Sequence, residues 1–78
     1  MTWNHRIVID KYGTYSIREV YYEPNDRIIA WTERPVSPCG ESMDEISADI
    51  ALMMKAFDKS VLLEEELIKE MESRTHAE

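Results

Sequence analysis

The chain has 78 residues and a mass of 9.2 kDa, enough for one domain and one small core. Hydrophobic residues make up 44% and charged residues 32%, a globular rather than a disordered composition. A net charge of −7 excludes the basic footprint of a nucleic-acid binder. No apolar run approaches the roughly 18–20 residues of a membrane-spanning helix.

The charge is segregated. Residues 1–38 balance five acids against five bases, so residues 39–78 hold the whole excess of seven. Such an acidic half suits attraction to a basic protein, and it equally serves solubility. The one cysteine, Cys39, cannot close an internal disulfide. The start, Met1 to Arg6, has no apolar segment behind a basic cap. A cytoplasmic protein is expected.

In chain order, Arg6-Ile7-Val8-Ile9 reads as a β-branched strand. Lys11-Tyr12-Gly13-Thr14 is a turn in which Gly13 can take positive φ. Tyr15 to Tyr22 is a second strand, Glu23-Pro24-Asn25-Asp26 a second turn, and Arg27 to Glu33 a third strand. Short turns between three strands predict an antiparallel meander. Alternation places His5, Ile7 and Ile9 on one side of the first strand and Arg6, Val8 and Asp10 on the other. Both faces carry apolar residues, so one is expected under a helix and one under a partner.

Two prolines, Pro35 and Pro38, make the following segment a connection out of the sheet. Ser42 with Glu45 three residues on is a capping box, and Ile46, Ile50, Met53 and Phe57 recur at helical spacing, widened by Met54. These predict a helix over 43–57 packed on a face of the sheet. Val61-Leu62-Leu63 is compatible with a short fourth strand. From Glu64 an acidic amphipathic helix is expected, with Leu67, Ile68 and Met71 on one side and a frayed end over 73–78. The fold class is therefore α+β. Residues 1–63 form a single module and 64–78 a C-terminal acidic helix.

The chemistry-bearing residues are few. His5, Cys39 and His76 lack the paired spacings of a metal site. Cys39, between Pro38 and Gly40, has no activating neighbour in the local sequence. Two glycines cannot build a phosphate-cradling loop. Asp10, Glu19, Asp44 and Asp49 could in principle surround divalent ions, as in a nuclease. Yet Asp10 suits the turn it precedes, and Asp44 suits the helix dipole. No catalytic, cofactor-binding or metal-binding residue is assigned. The aromatic residues Trp3, Tyr12, Tyr15, Tyr21, Tyr22 and Trp31 lie on the strands and suit packing and protein contacts.

Two segments carry a resemblance. Tyr12-Gly13-Thr14-Tyr15-Ser16-Ile17 forms the hairpin, and Pro38-Cys39-Gly40-Glu41-Ser42-Met43-Asp44-Glu45-Ile46 forms the passage from sheet to helix. In this order, spanning roughly residues 5–63, the chain resembles the N-terminal module of HicB-type antitoxins. The resemblance implies a partial ribonuclease H fold without the nuclease. It also implies a stand-alone, dimeric form, since the acidic stretch after Leu63 does not match that family's usual DNA-binding domain. It implies a non-enzymatic interaction module that neutralises a small basic ribonuclease of the HicA type by occlusion. The charge expected to face such a partner is on Glu64, Glu65 and Glu66, and the aromatic anchors expected are Tyr22 and Trp31. The chemistry leaves two alternatives open: a small homodimeric acidic inhibitor of another protein, and a metal-dependent nuclease using Asp10. No cofactor and no direct contact with nucleic acid or membrane are expected.

Overall fold

A computed structural model describes residues 1–76. The order along the chain is β1 (Thr2–Ile9), β2 (Tyr15–Tyr22), β3 (Ile28–Trp31), α1 (Met43–Met54), a 3-10 turn (Lys55–Asp58), β4 (Leu62–Leu63) and α2 (Glu64–His76). The fold is α+β. Its sheet runs β3-β2-β1-β4, with the meander antiparallel and β4 parallel to β1. The meander and the short fourth strand match the sequence expectation, with changed ends. β1 begins at Thr2, because it pairs with β2 along its whole length from Thr2–Tyr22 to Ile9–Tyr15. β3 ends at Trp31, but Thr32 and Val36 still donate to the carbonyls of Glu19 and Ile17.

Both turns follow from their residues. Asp10 accepts backbone N–H bonds from Tyr12 and Thr14 at 2.8 and 3.0 Å, and Gly13 takes φ +82°. At the second turn Asp26 adopts φ 67°, its N–H donates to the carbonyl of Glu23, and the Asn25 side chain accepts from Arg27 N–H.

Residues paired directly across strands share a face, so the register assigns the faces. One carries Asn4, Arg6 and Val8 of β1, Arg18, Val20 and Tyr22 of β2, and Trp31 of β3. Here Val8 and Val20 are fully buried. α2 follows β4 without a linker and lies over this face. Leu67 is buried, Trp31 Nε1 donates to the Glu64 carboxylate, and Arg74 donates to the carbonyl of Ile28. The opposite face carries Trp3, His5, Ile7 and Ile9 with Tyr15, Ile17, Glu19 and Tyr21. His5 and Ile7 are buried there, while Trp3 and Tyr15 are exposed.

The capping box forms: Ser42 Oγ accepts from Glu45 N–H at 3.1 Å. Glu45 reaches back one residue further than the usual box, to the N–H of Glu41. Gly40 sits against this first turn so closely that a Cβ there would lie 2.6 Å from the Ile46 nitrogen. α1 and its 3-10 turn together span the expected 43–57, but less of the apolar stripe is covered than periodicity predicts. Only Met53, with Ala56 of the turn, loses its solvent, and Ile46 is half-buried. The expected fraying over 73–78 lies partly outside the described residues. The described helix continues through His76.

Candidate interaction surface

The five expected contact residues divide. On the face under α2, Arg18 is 4% exposed and donates to the carbonyls of Thr32 and Glu33 at 2.9 and 3.1 Å. It also meets the Glu64 carboxylate at 3.4 Å, and the same Glu64 oxygen accepts from Trp31 Nε1 at 3.2 Å. Glu64 and Trp31 are thus brought together, but as an internal clamp between α2, β2 and β3. An anion beside a buried guanidinium offsets part of its desolvation, and Glu64 supplies one to Arg18. Its charge is committed within the chain rather than offered outward. Tyr22 is half-buried, and its hydroxyl is similarly engaged: it donates to Asn4 Oδ1 at 2.7 Å and accepts from Arg6 at 3.0 Å. Glu65 and Glu66 are exposed.

The three apolar residues expected on one side of α2 differ in burial. Leu67 is buried in its own chain and Met71 half-buried, while Ile68 stays exposed. The internal cluster was hidden from sequence reasoning because it needs two arginines on strands to turn inward. Arg6 and Arg18 are direct cross-strand partners. Both are buried, and each bonds outward to a loop carbonyl or carboxylate: Arg6 to Ser60, Arg18 to Thr32, Glu33 and Glu64. Their side-by-side placement on one face was the only available signal.

The carboxylates considered for metal chemistry are spread out. Asp10 is bound into its turn, Glu19 accepts from the Tyr21 hydroxyl at 2.6 Å, and Asp49 accepts from Cys39 N–H at 3.0 Å. Among the described residues no group of three or more His, Cys, Asp or Glu side chains could hold an ion. Cys39 is exposed beside α1, whereas His5 is buried in β1 with its ring edge-on to Trp3 at 5.2 Å. Shallow clefts open among the described residues. One of about 350 Å³ lies between Trp3, Asn4, Arg6, Tyr22 and Lys59, and one of about 330 Å³ between Cys39, Glu45, Asp49 and Leu52.

Several large apolar side chains are exposed. Met43, Ile50, Met54 and Phe57 are 84%, 45%, 57% and 65% exposed and form one row along α1 and its 3-10 turn. Trp3 and Tyr15 add an aromatic residue near each end of the outer sheet face. The accessible surface is 5896 Å². A monomeric globular protein of this mass exposes about 4,900 Å², so about 1,000 Å² is in excess. The radius of gyration is 13.9 Å, against about 11.5 Å for a compact domain of this length.

No protein-family model matches the chain, and no curated protein or solved structure is significantly similar to it. Among the described residues no helix is long and apolar enough to cross a membrane.

Proposed function

We propose that the protein is a non-enzymatic interaction module that acts by covering a partner, in the manner the resemblance to HicB-type antitoxins implies. The observation that carries this reading is the apolar and aromatic surface left uncovered at Trp3, Tyr15, Met43, Ile50, Met54 and Phe57. The order of three strands, helix, short strand and acidic helix supports it. The partner class is a small basic ribonuclease. Glu65 and Glu66 on α2, exposed and free of internal bonds to basic groups, supply the field that steers it. Trp3 and Tyr15 on the outer sheet face supply anchoring area. Glu64, Trp31 and Tyr22 act one step back, by holding α2 and the sheet in place.

The test starts with affinity capture of the tagged chain from lysate of its own source. A stoichiometric, short, basic protein whose RNA cleavage stops when the chain is added supports the reading. Glu65→Lys with Glu66→Lys is then expected to slow association at least about tenfold at low salt and less at high salt. RNA cleavage that continues at saturating chain overturns it.

A further inference from the structure

The exposed row on α1 has an internal symmetry. Counted from Ile50, its apolar members stand at −7 (Met43), −4 (Ile46), +4 (Met54) and +7 (Phe57). Ile46, Ile50 and Met54 are one ridge at four-residue spacing, and Met43 and Phe57 extend it by three residues at each end. On a helix these five positions share one side. Met43, Ile50, Met54 and Phe57 are exposed, and Ile46 is half-buried at the row's edge. A row that reads alike from both ends is complementary to its own reverse.

Charge follows the same direction. The entry and first turn of α1 hold Glu41, Asp44 and Glu45, and the 3-10 turn after it, with the next residue, holds Lys55 and Lys59 against Asp58. Two such helices laid antiparallel bring an acidic end to a basic end, and their dipoles oppose. Laid parallel, they bring acid to acid. A twelve-residue helix that spends one side of its apolar stripe in water is marginal alone and gains from cover.

We propose that a second copy of this chain covers the row, through antiparallel α1–α1 packing about a two-fold axis at Ile50. Ile50 then meets the partner's Ile50, Ile46 the partner's Met54, and Met43 the partner's Phe57. The alternating three- and four-residue spacings set the antiparallel helices at roughly 20°, so that contact runs the length of the row. This seam does not use the exposed Trp3 and Tyr15 of either outer sheet face, nor either pair of Glu65 and Glu66. The inference rests on reading this surface as one for protein contact, and it names the occupant of the α1 part.

Sedimentation of the full chain between about 1 and 100 µM, a range set by the affinity of standard interfaces, is the first measurement. A dimer of twice 9.2 kDa is expected. Ile50→Glu places two carboxylates on the axis and is expected to weaken it at least about 100-fold, with circular dichroism unchanged. Register is read by thiols in a Cys39→Ser background. Met43→Cys and Phe57→Cys chains, mixed, are expected to crosslink to each other, and neither to itself. A chain that stays monomeric throughout the range, a dimer indifferent to Ile50→Glu, or Met43→Cys chains that crosslink to themselves would each overturn the proposal. Ribonuclease inhibition measured on the Ile50→Glu chain separates this inference from the functional reading. Inhibition without a dimer sinks the seam alone, and a dimer without inhibition sinks the antitoxin reading alone.

Discussion

The two helices are nearly equal in length, 12 and 13 residues, and the more acidic one is the better held. α2 opens with three glutamates, yet one of them locks onto Arg18 and Trp31, Leu67 is buried, and Arg74 reaches both Glu70 and the carbonyl of Ile28. α1 is far more apolar, yet four of its row's residues face water. Hydrophobicity gives a helix a reason to be covered but does not say by what. α2 is committed because β4 hands it directly to the sheet and because its polar ends find fixed partners there. α1 stands between a proline-rich connection and a 3-10 turn, and it touches its own sheet by one edge. A helix anchored by polar groups belongs to its own chain, and one left with an apolar row is open to another.

The largest expected effect tests whether α2 is integral to the domain. Leu67→Ala removes the one α2 side chain that is nearly fully buried among the described residues. A loss of about 2–4 kcal/mol is expected, the range for a buried leucine that leaves a cavity. In a domain of this size that lowers the melting temperature by at least about 10 °C. Ile68→Ala, on the next position but exposed, is expected to change stability by less than about 0.5 kcal/mol. Equal effects in thermal melts would show that α2 is not docked as described.

A smaller effect is expected from the clamp. Glu64→Gln keeps an acceptor for Trp31 but leaves Arg18, 4% exposed, with no carboxylate. Glu64 itself keeps 21% exposure, so water screens part of the pair. The expected cost is about 1–3 kcal/mol, with a changed Trp31 emission. The double-mutant cycle of Arg18→Met and Glu64→Gln checks it. Additivity of the two changes would mean that the two groups do not interact.

The contrast between the helices also marks what sequence alone could supply. Strand alternation, the Gly13 and Asp26 turns and the Ser42–Glu45 cap are local, because each depends on residues a few positions apart. They were legible. The capping partner shifted by one residue, to Glu41, since the close approach of Gly40 carries that backbone N–H toward the Glu45 side chain. The fate of Glu64 was not legible. It depends on Arg18, 46 residues away, and a charge run looks the same whether its first member is solvated or clamped. The α1 stripe was legible as apolar. That only its Met53 and Ala56 edge is covered follows from where the 3-10 turn and β4 set the helix against β1, a tertiary fact with no local signature.

The smallest effect reads the outer sheet face without disturbing either helix. The Tyr21 hydroxyl donates to Glu19 Oε1 at 2.6 Å. That bond chiefly, with desolvation and the carboxylate's charge behind it, holds the phenol above its ordinary value of about 10. The sign follows from the protonated form being the one that is bonded. The bond's contribution is fully present below pH 10, where the unfolded phenol is also protonated, and it is lost as pH rises through the folded value. Titration of tyrosine absorbance near 295 nm is expected to show one phenol ionising later than a free tyrosine, and Glu19→Gln is expected to bring it back toward 10. Glu19 lies opposite His5 on the outer sheet face, beside Trp3. A partner seated there would remove more water from the phenol and raise it further, whereas one seated only on α1 would leave it where it is. The same titration, repeated with a bound partner, therefore tells the two surfaces apart.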